Sequence, residues 1–293
     1  MKLRVVHKTT YHYAEAVPSS HHEAHLAPRE VRGQQVLSHA VHIAPRPDTT
    51  RERRDYFQNR ALYFGIHESH RSLEVVAESE ILVGEREHSM LLDKTAWETA
   101  RDVVTHDRQA EPLIAYEFVF PSPYVGTVHP ELAAFARPSF GPRRPLLDAV
   151  AELTARIHEE LTYDTAATEA STPLRDVIHN RRGVCQDFAH FQIGCLRAMG
   201  LPARYVSGYL STLPPTGKPR LVGCDASHAW VSTYLPNVGW VDFDPVNDMV
   251  PGDRHVTVAY GRDYGDVTPI RGVLVGGGRH SVRVAVDVAP VAE

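Results

Sequence analysis

The sequence predicts an α+β fold, an all-β N-terminal domain followed by a second domain in which helices precede strands. Three observations predict it. Apolar and polar residues alternate from Leu3 to about Val83, the apolar spacing turns helical after Pro145, and further alternating runs follow the last helical segment.

In the first part, Leu3, Val5, His7, Thr9, Tyr11 and Tyr13 alternate, and QVLSHAVHI and SLEVVAESEILV continue the pattern between turns such as APRPD. Between Val83 and Pro145 the prolines of FPSPY, HPEL and RPSFGPRRP mark a connector with short helices. We place the boundary near residue 130, with 1–130 as a β-sandwich-like domain plus connector and 131–293 as the second domain. There Leu146, Leu147, Val150, Leu153, Ile157 and Leu161 recur at helical spacing, and Ser171 or Thr172 is placed to cap a short helix in STPLRDVIHN. A further helix runs from about Cys185 to Met199, with Gly200 as its stop and Pro202 behind. ARYVSGYL, SHAWVSTYL, GWVDF, VTVAY and HSVRVAVDV then read as strands.

A chain of 293 residues accommodates one large or two medium domains. With 31 Lys and Arg against 36 Asp and Glu, the net charge of -5 supplies no long-range attraction for phosphate backbones or anionic lipid, so neither nucleic acid nor membrane is an expected partner. The start MKLRVVHKTTYHY lacks the apolar stretch of a secretion signal, and no run approaches the roughly 20 apolar residues of a membrane span. We read a soluble cytoplasmic protein. Cys185, Cys195 and Cys224 make an odd count without metal-type spacing, which fits a reducing compartment and leaves a free thiol. The densest histidine cluster, His21, His22 and His25 in HHEAH, falls one residue short of a helical zinc signature, and no metal or cofactor is expected. His7, His12, His39, His42, His67 and His70 are read as solvent-facing, and Arg51 to Arg54 as a charged turn.

The residues that carry chemistry are a thiol, an imidazole and a carboxylate in that order: Cys185 in RRGVCQDFAH, His228 in SHAWVSTYLP and Asp244 in GWVDFDP. A free thiol is only about 3% ionised at neutral pH, and the unpaired N–H groups of a helix start favour the thiolate. The same groups hold a developing oxyanion. Gly183 lets the backbone turn tightly into that helix. Cys195, further along the helix among Leu196 and Met199, reads as core, and Cys224 precedes His228 at a spacing that shares its strand face. His190 lies about 140° around the helix from Cys185 and points elsewhere.

The hairpin formed by SHAWVSTYL and GWVDF tests whether His228 and Asp244 can meet. Burying Val231, Leu235, Val241 and Phe243 together fixes the register to an even residue sum, a condition met by a three-residue loop, Pro236, Asn237 and Val238, with Leu235 opposite Gly239. Asp244 then lies diagonal to His228, about 7–8 Å away along the backbone and within reach of two leaning side chains. Asp242 sits opposite Ser232 and further off. A two-residue loop instead makes Asn247 the partner.

With GVCQDFAH, LRAMGLPARYVSGYL, SHAWVSTYLPNVGWVDFDP and GRDYGDVTPIRG in view, the chain resembles the bacterial transglutaminase-like family, a group classed with the cysteine proteases. HKTTYHY, LAPRE, DYFQN and SLEVVAESEILV resemble that family's N-terminal β domain. Two positions depart from its pattern: Gln58 stands where glycine is usual, and Val246 where threonine is common. The resemblance implies a papain-like, transglutaminase-like catalytic core with thioester chemistry on amide substrates. In it Cys185 attacks the carbonyl, His228 moves the proton and Asp244 orients the ring. The backbone N–H of Cys185 is the first oxyanion donor, and Gln186, Tyr163 and Trp230 are candidates for the second.

Hydrolysis of peptide or isopeptide bonds in a peptide or protein substrate is the expected reaction, since nothing in the sequence marks the accessory modules of calcium-regulated cross-linkers. Transfer to an amine and a catalytically silent peptide-binding module are the alternatives. For the β half, exposed strand edges leave substrate positioning or homo-oligomer contacts as roles.

Overall fold

The alternation that begins at Leu3 becomes a strand of 16 residues, β1 (Lys2–Val17), in the computed structural model, which describes residues 1–84, 93–126, 129–212 and 227–291. β1 is flanked by β6 (His70–Val83) and β14 (His280–Pro290), with β3 (Gln34–Ala44) beyond β6, in an antiparallel sheet ordered β14-β1-β6-β3. A second antiparallel sheet is ordered β13 (Ile270–Val275), β2 (Ser19–Ala24), β5 (Arg60–Ile66), β4 (Thr49–Arg54). The core between the two holds Tyr13, Val17, Leu26, Phe64, Ile66, Leu73 and Val75. The apolar face of β1 does not stop there. Leu3 and Val5, with Ile81, Val83, Val286 and Val288, belong to a larger core shared with the helical part of the chain.

Two strands pair differently from the sequence expectation. The region 131–293 was assigned to the second domain, yet β13 and β14 hydrogen-bond to β2 and β1 of the N-terminal sheets. Alternation reports that a segment is a half-buried strand, whereas the choice of partner depends on which backbone edge the rest of the chain leaves open. Two of the histidines read as solvent-facing are buried, His7 because odd positions of the first part of β1 face inward and His70 because it starts β6 on that strand's inward face. His7 bridges the Tyr209 hydroxyl and Thr9 Oγ1, each at 3.0 Å, and burial lowers its pKa to about 4. His70, at the start of β6, is buried and its Nδ1 donates to Glu68 O at 2.8 Å. His21 and His22 lie on strand β2 and therefore point to opposite faces. Arg51 to Arg54 form not a turn but most of β4, an edge strand whose residues are all exposed. Charged side chains suit that position because they discourage pairing with another chain.

The connector contains α1 (Trp97–His106), α2 (Ala110–Tyr116) and α3 (Pro130–Ala136). Next come α4 (Leu146–Glu160), which buries Leu146, Leu147, Val150, Leu153 and Ile157 as its spacing predicts, and α5 (Leu174–Asn180). Neither predicted cap serves α5. Its cap position is Pro173, and the Thr172 hydroxyl instead accepts from Glu169 N at 2.9 Å. The helix α6 (Cys185–Ala198) is buried on all sides from Gln186 to Arg197. It packs between α3, α4 and α5 and a third sheet formed by β9 (Ala203–Leu210), β10 (Ser227–Leu235), β11 (Gly239–Phe243) and β12 (His255–Gly261), ordered β11-β10-β9-β12. At its far end the buried Arg197 guanidinium donates to the carbonyls of Phe118, Ala203 and Arg262, tying connector to sheet.

The N-terminal half closes the free edge of this third sheet with two side-chain amides. Gln34 Nε2 donates to Thr257 O and its Oε1 accepts from Thr257 N, both at 2.8 Å. Asn59 does the same for Tyr260 O and N, again at 2.8 Å. Each amide thus stands in for a strand residue against β12, leaving no buried backbone group of Thr257 or Tyr260 without a partner. Asn59 comes from DYFQN and is itself held by Asp55 and by Arg29 of LAPRE. In that segment Gln58 has φ 63°, the left-handed region where glycine is favoured, which accounts for the usual residue there.

Candidate active site

Cys185 opens α6 on a rigid approach. The short strands β7 (Thr162–Tyr163) and β8 (Arg182–Gly183) run parallel just before it, with Tyr163 opposite Gly183. Asp187, one turn into the helix, accepts from Val184 N at 2.8 Å and from Thr168 Oγ1 at 2.6 Å, and burial raises its pKa. A Cβ on Gly183 would lie 2.4 Å from Asp187 Oδ2, so glycine is needed there for room and not for an unusual φ. Asp187 N and Phe188 N are the first helix amides to donate backward, both to Val184 O, which leaves the N–H groups of Cys185 and Gln186 at the open end beside the half-buried thiol.

The hairpin takes the predicted register. Leu235 pairs with Gly239, Ser232 with Asp242 and Val231 with Phe243, and the loop uses positive φ at Asn237 and Gly239. His228 Nε2 lies 2.7 Å from Asp244 Oδ2, and Cys185 Sγ lies 4.0 Å from the carbonyl of Ser227, the residue before His228. Since Nε2 faces the carboxylate, Nδ1 is the nitrogen left for sulfur. Burial opposes the charged imidazole. Hydrogen bonds and charge from Asp244 and Cys185 outweigh it and raise the His228 pKa to about 10. Burial opposes ionisation of Asp244 too, but donation from His228, His255 and Asn247 and the charge of His228 hold its carboxyl well below the usual range.

Asp244 accepts more donors than the sequence indicates. Its Oδ2 takes Asn247 Nδ2 at 2.7 Å and His255 Nε2 at 3.1 Å besides His228, while Oδ1 takes Val246 N at 3.0 Å and Asn247 N at 3.3 Å. Asn247, the alternative partner on sequence grounds, serves the carboxylate instead of replacing it. The valine at 246 leaves this support intact because the contact is made by its backbone. His255 is fully buried at the start of β12 and was not foreseen. A histidine heading an apolar strand was its one local signal. Only the β9–β12 and β9–β10 registers, which set His255 opposite Leu210 and His228 opposite Gly208, bring it to the site. His228, Asp244 and His255 each offer a ligand atom within 4.8 Å of the others. Their 2.7 and 3.1 Å contacts are closer than the about 3.3 Å between ligands of a tetrahedral zinc, and they suit hydrogen bonds.

The candidates for a second oxyanion donor separate. Trp230 is fully buried and its indole N–H is given to Asp242 Oδ2 at 3.0 Å, so the structure removes it from that role. Its ring lies beside both His228 and His255, with centroids at 6.0 and 5.3 Å, and against Gly208, where a Cβ would meet Trp230 Cη2 at 2.4 Å. The Gln186 side chain donates to Ala170 O at 3.0 Å, which anchors it away from the thiol and leaves its backbone N–H as the available donor. Tyr163 is 49% exposed at the lip, its pKa raised by burial and then by the Cys185 charge. Cys195 is buried with its pKa pushed far up by burial, and Cys224 lies outside the described residues. His190 turns away from Cys185 and accepts from Tyr264 N at 3.1 Å. A cavity of about 630 Å³ lined by Arg53, Asp55, Tyr56, Glu117, Arg262 and Arg271 opens at the other end of α6, roughly 18 Å of helix from the thiol, and holds none of these residues.

A helical central thiol beside a sheet that carries histidine and aspartate defines a transglutaminase-like core. Residues 133–245 match the transglutaminase-like superfamily, and residues 3–82 match the bacterial transglutaminase-like N-terminal region. The chain is 38% identical to the uncharacterized protein Rv2569c of Mycobacterium tuberculosis over 99% of its own length and 93% of that protein's. It is 36% identical to a protein-glutamine gamma-glutamyltransferase of Pseudomonas aeruginosa over 106 residues, 35% of this chain and 16% of that one. Among solved structures, a candidate cysteine protease from Cytophaga hutchinsonii superposes with a TM-score of 0.78 at 22% identity, covering 100% of this chain and 91% of that one. The chain belongs to the bacterial transglutaminase-like family, within the transglutaminase-like superfamily.

Proposed function

We propose that this protein is a thiol-dependent acyl-transfer enzyme that hydrolyses peptide or isopeptide amide bonds. The observation that carries the reading is the 2.7 Å contact of His228 with Asp244 beside the helix-start Cys185, whose Sγ lies 4.0 Å from the carbonyl of Ser227, the residue before His228. Sγ attacks the substrate carbonyl carbon, and the oxygen takes up negative charge beside the N–H groups of Cys185 and Gln186. As the tetrahedral intermediate collapses, the C–N bond breaks and His228 gives its proton to the departing amine. Water then attacks the thioester and passes a proton to His228, and the C–S bond breaks to release the acid and restore the thiolate–imidazolium pair. Asp244 keeps the ring oriented and balances its charge throughout.

The test is mass spectrometry of the protein after exposure to a peptide mixture. A mass gain on Cys185 that decays in water, and is absent in Cys185→Ala, is the expected result. Alkylation of Cys185 no faster than that of buried Cys195 at neutral pH would count decisively against the reading. The local similarity to a protein-glutamine gamma-glutamyltransferase favours a second acceptor, an amine, which resolves the same thioester into a new amide. Incorporation of a primary amine into a glutamine-containing peptide distinguishes the two.

A further inference from the structure

Asp244 is over-determined in position. Without His255, its Oδ1 still accepts two backbone N–H groups, its Oδ2 still accepts the Asn247 amide, and its backbone is bridged to Met249 in both directions. The contribution of His255 is therefore not placement of the carboxylate. It donates Nε2–H at 3.1 Å to Oδ2, the same oxygen that His228 uses at 2.7 Å. Only a donor faces an ionised carboxylate, so the proton is on His255 Nε2. Two imidazole donors on one oxygen divide its lone-pair density, and each is held less strongly than it would be alone.

We propose that His255 is a positioning residue for the proton of His228, acting through Asp244: by occupying Oδ2 it loosens the carboxylate's hold on the neighbouring imidazolium, so that His228 can release its proton to a leaving amine. An unmoderated Asp244 makes the imidazolium too weak an acid for that step. His255 reaches the site on β12, the strand clamped by Gln34 and Asn59, so the N-terminal domain holds the moderating residue in place. The neighbouring elements carry further titratable and charged groups, among them Tyr163, Tyr205 and Tyr264, each with its pKa raised by burial and in part by the Cys185 charge. Cys185 comes from α6, and Asp242 on β11 is engaged by Trp230. His158 on α4 donates to Val246 O, Tyr209 on β9 bonds His7, and the Arg254 guanidinium is turned to Ser211 O. Asp248 and Asp253 lie in the turn between Asp244 and His255. The His228 ring nitrogen itself meets Asp244 Oδ2 at 2.7 Å and Asn247 Nδ2 at 3.4 Å, and the ring feels the Cys185 charge.

The inference rests on the proposed thiol chemistry, and its test is kept apart by needing no substrate. The rate of Cys185 alkylation is followed against pH, with the His228 ring titrated in parallel by nuclear magnetic resonance. His255→Phe should move the imidazolium's deprotonation upward by about one pH unit, the equivalent of one hydrogen bond to a charged group. His255→Gln, which keeps a donor, should restore the wild-type profile. His255→Asn, whose amide stops short of Oδ2, should repeat the upward shift while keeping the site polar should the phenylalanine variant not fold. A folded His255→Phe or His255→Asn protein whose titration is unchanged or moves downward overturns the inference. Slow alkylation of Cys185 in the wild type sinks the thiol reading itself.

Discussion

The shared carboxylate oxygen makes Asp244 and Asp242, two residues apart on one strand face, chemically unlike. Asp244 meets imidazoles, whereas Asp242 takes the Trp230 indole N–H. Asp244→Asn should lower kcat about a hundredfold or more, because the ring loses its orienting charge. Asp242→Asn should leave kcat within about tenfold and cost about 1 kcal/mol of stability. Equal losses of turnover would remove Asp244 from the proposed role. The raised His228 pKa also sets a sign for stability. Its contribution is complete below the unfolded value, about 6.5, and is lost as pH rises through about 10. The stability difference between wild type and His228→Gln in denaturant titrations should therefore shrink across that window, and a pH-independent difference contradicts the ion pair.

At the scale of elements, the hairpin and the helix start were legible because their causes are local. Val231, Leu235, Val241 and Phe243 had to be buried together, and a three-residue loop was the short connection that did it. The edge of β12 was not legible, because Gln34 and Asn59 lie about 200 residues away from the backbone groups they complete. Asn59→Leu leaves Tyr260 N–H and C=O buried without their amide partner and should destabilise by about 2–4 kcal/mol in urea unfolding. A loss below about 0.5 kcal/mol would mean that water replaces the amide readily.

For the whole molecule, one sheet face serves two cores, and its last strand arrives from the end of the described chain. Val286 and Val288 on β14 are 1% and 0% exposed within the core that also contains Leu196 and Phe243. A chain stopped after residue 278 should lose the cooperative thermal transition of both halves at once and become sensitive to protease between them. If such a chain keeps the parent melting temperature, the shared core is not what joins the halves. The exposed strand edges invoked for the β half on sequence grounds are in part consumed internally, since β13 and β14 occupy the edges beside β2 and β1.

The sequence by itself determined most of the elements, the α+β order, the helix-start position of Cys185 and the hairpin that brings Asp244 to His228, since each follows from periodicity, turn length or a terminus within a few dozen residues; the edge strand β4, read as a charged turn, is an exception. Tertiary structure alone decided that β13 and β14 return to the N-terminal sheets, that Trp230 spends its N–H on Asp242, and that His255 shares the carboxylate. Those outcomes depend on which strand edges and carboxylate oxygens are free once the chain has folded, and a local pattern of apolar and polar residues carries no record of that.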